Sequence, residues 1–223
     1  MFRFPIREYG MNYSSQPLQQ HEIEAMKADP VIMQRILQSY RLMLDFYGMR
    51  LVSPDTGLVD RCMPPRNYKP RYRNLVRKFV CFFFPITEVS SLLMNFQGAS
   101  HNNLRISRIL KCLSELGLER LNAGFLLHVL NEQSQYEELD SWSIHGSMDR
   151  WWANCIRDEE ERQWIGNLIQ KVRNPDEGYI FSRTDYEKVI LHRAETGKLG
   201  LPLDDFAEEE GALEFQQRDG EGT

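Results

Sequence analysis

The chain has 223 residues, 42% of them hydrophobic and 11% aromatic, enough to bury a sizeable core in one domain with tails and too apolar for general disorder. Its net charge of −5 hides an asymmetry: eleven Lys/Arg stand against three Asp/Glu over residues 61–120, and ten against twenty-two over 121–223. That balance argues against tight nonspecific nucleic-acid binding, and its simplest expression is a basic helix face lying beside acidic helices.

Four cysteines, Cys62, Cys81, Cys112 and Cys155, form no CxxC pair, and no secretory leader precedes them, which together point to a reducing, intracellular compartment. The longest apolar run, Phe79–Phe84, is far shorter than the roughly 20 residues that a bilayer requires.

In chain order, residues 1–17 read as extended. A first helix is expected over Leu18–Lys27, stopped by Asp29-Pro30. The second starts there, with Asp29 as cap and Pro30 in its first turn. It carries Ile32, Ile36, Tyr40, Met43 and Tyr47, and ends at Gly48 in a left-handed conformation. Residues 52–74 read as a loop broken by five residues, Pro54, Gly57, Pro64, Pro65 and Pro70. Residues 78–99, with five phenylalanines and two charges through Gly98, match nothing around them and read as an apolar insertion.

The third helix is expected to be capped within Ser100–Asn103 and to end before Gly117. It places Ile106, Ile109, Leu110, Leu113 and Leu116 on one arc, with Arg105, Arg108 and Lys111 opposite. A fourth follows at once, with Leu118, Leu121, Phe125 and Val129 as its stripe. Ser147 is read as the cap of a helix bearing Trp151, Trp152, Cys155 and Ile156. Asp158 with Glu161 restarts a helix that carries Trp164, Ile165, Leu168 and Val172. A last helix spans about Asp185–Glu195, and the acidic tail beyond Gly197 reads as disordered. The fold class is therefore all-α, an irregular bundle of about six or seven amphipathic helices, organised as 1–172 interrupted by 78–99 and followed by 173–223.

No catalytic signature is present: there is no GxSxG, P-loop, GxGxxG or HExxH, and the five histidines lie far apart. The chain is read as a non-enzyme without a cofactor or metal. The acidic run Asp158–Glu161 reads as the favourable first turn of a helix. If a short peptide binds, it needs a cation, an anion and aromatic walls. The two most distinctive helices offer Arg105, Arg108, Asp149, Trp151 and Trp152 for these roles.

Two stretches carry a resemblance. One is Phe4-Pro5-Ile6-Arg7-Glu8-Tyr9-Gly10-Met11-Asn12-Tyr13 with Leu42-Met43-Leu44-Asp45-Phe46-Tyr47-Gly48. The other runs Ser100-His101-Asn102-Asn103-Leu104-Arg105-Ile106-Ser107-Arg108-Ile109-Leu110-Lys111-Cys112-Leu113 and closes on Glu115-Leu116-Gly117-Leu118. Together they resemble the conserved domain of the opioid growth factor receptor family, its receptor-like members in particular. The resemblance implies an intracellular, nuclear or perinuclear receptor for the peptide Met-enkephalin that restrains cell proliferation, peripherally membrane-associated at most, with other proteins as further partners. The alternative is a protein-interaction scaffold without peptide-receptor activity. The likeness supplies no ligand-contact residues. Against the family pattern, the start at Met1 looks truncated and the long C-terminal region is missing or replaced.

Overall fold

A computed structural model describes residues 4–9, 16–76 and 88–200, the side chains of 88–100 excepted. The expectations for 78–87 and for the tail beyond residue 200 lie outside the described residues.

Among the described residues there are eight α-helices and one small hairpin. Helix α1 (Gln20–Ala28) starts where Glu22 accepts the Gln19 N–H at 2.8 Å. In α2 (Pro30–Phe46), Asp29 accepts from Val31 and Ile32 N–H, proline fills the first position, and Gly48 follows at φ +83°. Pro30 gives up no helical bond there, and Gly48 reverses the chain at no Cβ cost.

The stretch expected to be loop is more ordered than its prolines suggest. Strands β1 (Met49–Leu51) and β2 (Val59–Arg61) pair antiparallel, Arg50 opposite Asp60, and Asn67 caps the short α3 (Tyr68–Tyr72). Three-residue strands show too little alternation to be read from sequence; packing holds them, with Met49 and Val59 both fully buried.

Helix α4 (Glu88–Glu115) begins twelve residues before the expected cap, so Ser100–Asn103 lie inside it. Gly117 ends it at φ +76°, and α5 (Glu119–Tyr136) follows. Every residue from Leu121 to Gln133 is buried, so α5 is a central helix and not the one-sided helix its apolar stripe implied. Its polar positions misled because each is met from outside. Asn122 donates to Leu110 O and Ser114 Oγ, Asn131 to Phe181 O and Gln133 to Leu139 O. Buried polar groups persist in cores on that condition.

Helix α6 (Trp142–Ser147) is capped by Ser141, not Ser147. It widens into a π turn over Met148–Trp152 and tightens into a 3₁₀ turn over Ala153–Cys155. Helix α7 (Glu159–Arg173) starts on Asp158, which accepts from Glu161 N–H. The Glu161 side chain does not stay in the solvated first turn. It is buried, with Arg193 bound to both its oxygens at 2.9 Å. Helix α8 (Arg183–Thr196) is capped by Ser182 and packs on α5. Its Tyr186 hydroxyl donates to carbonyls of the hairpin and α5, Val59 O at 3.1 Å and Gly124 O at 3.2 Å.

Candidate ligand site

Helix α4 is the element on which the polar and aromatic candidates meet, and each of its sides does something different. Ile106, Ile109 and Leu110 line a small apolar cavity with Tyr40 and Met43 of α2, Tyr47 just after that helix, and Phe125 of α5. It holds about one water-sized sphere. Tyr47 is 1% exposed and its hydroxyl has no hydrogen-bond partner among the described residues. Burial pushes this phenol up to about 12, while the positive charge of Arg105 pulls it down.

Arg105 is exposed and donates to the Asn102 side-chain oxygen at 3.0 Å. Asn102 in turn donates to Asn74 O, and Asn74 to Phe46 O, both at 2.6 Å, which ties α4, the turn after α3 and the end of α2 into one rim. No carboxylate engages Arg105 among the described residues.

Arg108 is turned about 100° per residue away from its neighbour Ser107. Its Nε donates to Phe4 O at 2.7 Å, and Lys111 pairs with Glu8 at 2.7 Å. On the next side, Asn103 and Ser107 receive Trp152. The indole is 0% exposed, its Nε1 donates to Ser107 Oγ at 3.2 Å, and it meets Phe125 edge-on at 5.6 Å. Trp151 beside it is 52% exposed. Asp149 holds Arg173 through both oxygens at 2.6 Å.

The structure thus brings Trp152 against α4, sets Arg105 and Arg108 on other sides of that helix, and leaves Asp149 on the π turn facing α7. A ligand would meet Arg105 and Trp151 without breaking an ion pair. At Asp149 it would compete with Arg173, and at Arg108 with the N-terminal segment. Trp152 can contribute by positioning α4. Tyr47 and the Asn74–Asn102 pair were missed: nothing in one sequence marks a phenol as unpaired or two asparagines as neighbours.

A second constellation was also missed. Glu132 of α5, 2% exposed, binds Arg61 of β2 through both oxygens at 2.7 and 2.8 Å, and the guanidinium lies over the rings of Tyr136 at 3.9 Å and Tyr68 at 4.6 Å. Burial raises the Glu132 carboxyl and Arg61 opposes it. Pairing a buried carboxylate with a planar, stacked guanidinium fixes the hairpin on α5. Part of the basic excess of residues 61–120 is met in the same way, since Arg66 and Arg71 share Asp45. Among the described residues, no three His, Cys, Asp or Glu side chains group as metal ligands. No helix among them is long and apolar enough to cross a membrane.

The family model for the opioid growth factor receptor (OGFr) conserved region matches the chain over residues 1–89 and again over 85–188. The chain is 32% identical to the opioid growth factor receptor of Homo sapiens over 211 residues, 94% of this chain and 27% of that one. To the receptor of Mus musculus it is 38% identical over 182 residues, 82% of this chain and 25% of that one. To opioid growth factor receptor-like protein 1 of Rattus norvegicus it is 30% identical over 192 residues, 86% of this chain and 36% of that one. The chain therefore spans about a quarter to a third of the length of these relatives. No solved structure matches it with significance.

Proposed function

The chain belongs to the opioid growth factor receptor family, and from that premise we propose that it is a non-catalytic peptide-recognition domain, with Met-enkephalin as its ligand. The domain acts from a nuclear or perinuclear position, at most peripherally attached to membrane, in the restraint of cell proliferation. The five residues proposed to serve the ligand divide by role. Arg105 takes the peptide carboxylate, Trp151 supplies an aromatic wall, and Arg108 and Asp149 offer charges that first release Phe4 and Arg173. Trp152 positions α4. The observation that carries this reading is Arg105, an exposed cation of α4 with only a neutral amide partner among the described residues.

Calorimetry of the chain with Met-enkephalin and with a scrambled peptide tests it. Saturable heat for the first alone, weakened at least about tenfold by Arg105→Ala, is the expected result, the loss of a charge-assisted contact. Equal heats for the two peptides would leave the alternative, a protein-interaction scaffold without peptide-receptor activity.

A further inference from the structure

Segment 4–9 does not belong to any helix, yet it is seated on α4. Phe4 is 5% exposed and joins the core, and its carbonyl takes the Arg108 Nε–H at 2.7 Å. Ile6 is half-buried and accepts from Leu18 N–H at 2.9 Å, while Glu8 reaches Lys111 at 2.7 Å. Pro5 has no N–H, and Arg7, Glu8 and Tyr9 are exposed. These holds are few and of three kinds: an aromatic socket, a guanidinium on a main-chain carbonyl, and an ammonium on a carboxylate. They are the means by which proteins bind extended peptides.

We propose that this side of α4, marked by Arg108 and Lys111, is a peptide-binding groove whose resident occupant is segment 4–9 of the same chain. In its place the groove accepts an extended peptide with a phenylalanine and, four residues later, a carboxylate. Arg108 reads backbone and is indifferent to sequence, whereas the Phe4 socket and Lys111 select. The tethered segment competes at an effective concentration on the order of millimolar, so an outside peptide binds weakly until the segment is released. The groove shares Arg108 with the site proposed for Met-enkephalin but not Arg105, and its selectivity lies in the Phe4 socket and Lys111, so calorimetry with that pentapeptide, read at Arg105, does not decide it.

The test is fluorescence anisotropy with a labelled hexapeptide of sequence Phe-Pro-Ile-Arg-Glu-Tyr, titrated with the full chain and with its Phe4→Ala variant. Emptying the socket is expected to tighten binding at least about tenfold. Adding Lys111→Glu to that variant removes the gain, and a hexapeptide with Lys in place of its Glu restores it. Should Phe4→Ala lose its cooperative melt, Glu8→Lys, which keeps Phe4 and sets two ammonium groups against each other, is read in the same way. Equal affinity for the wild-type chain and the folded variant, or indifference to the charge reversal, overturns the proposal.

Discussion

His128 is fully buried in the middle of α5, its Nε2 3.4 Å from the Tyr72 hydroxyl and 3.9 Å from Glu132, with Nδ1 unpartnered among the described residues. Burial lowers its pKa from 6.5 to about 3; the charges of Arg183 and Arg61 act in the same sense and Asp60 against it. The fold therefore keeps the neutral ring. As pH falls, the unfolded chain takes up this proton first, so the stabilisation is whole above pH 6.5 and is lost between 6.5 and about 3. At pH 5 the loss is about 2 kcal/mol. Urea midpoints at pH 7.5 and 5 for wild type and His128→Gln measure it: the wild type should fall further by that amount. Parallel shifts would mean that the imidazole is not held neutral. In the sequence this histidine reads as either packed or exposed, and the choice depends on Tyr72, 56 residues away.

At the scale of elements, the hairpin and α5 approach as bare backbone. A Cβ on Gly124 would stand 1.8 Å from Gly57 O, and one on Gly57, itself at φ +85°, 2.1 Å from Arg120 O. Gly166, inside α7, has nothing within 4 Å of its Cβ position. Gly124→Ala should destabilise by about 3 kcal/mol, the cost of forcing packed backbones apart. Gly166→Ala should stabilise by about 0.5–1 kcal/mol through helix propensity and unfolded-chain entropy. Thermal melts of the two variants check both signs. This pairing also shows what a single sequence conveys about elements. Local chemistry announced its own work: Asp29-Pro30, Gly48, Gly117 and Asp158 mark helix ends where the structure has them. The interior of α5 was opaque, because Asn122, Asn131 and Glu132 look solvated until Ser114, Phe181 and Arg61 are known to face them. Of the candidate site, the basic face of α4 was legible from its 100° spacing. The engagement of Arg108 by Phe4, 104 residues away in sequence, was not.

For the whole molecule, residues 78–99 remain proposed as an insertion into the family domain. The two family matches run to residue 89 and start again at 85, so both extend into this segment and neither marks its bounds. Since α4 starts at Glu88, deleting 78–99 removes the helical backbone of 88–99 as well. Joining Arg77 to Ser100 should lower the helical circular dichroism by those turns and leave one cooperative thermal transition. It should also improve solubility, because the run Phe79–Phe84 is uncharged and rich in phenylalanine. A broadened or lost transition would place the segment in the core.

The Tyr186 hydroxyl joins α8 to Val59, 127 residues earlier, and to Gly124 between them. On a ribosome adding about 5–20 residues per second, that junction waits on the order of ten seconds after Val59 is made. Helix α5 is synthesised midway and is buried on every side only when α8 arrives. The nascent chain thus carries its most deeply buried helix incompletely covered for several seconds, and the interval in which a chaperone meets that surface opens with α5 and closes with α8.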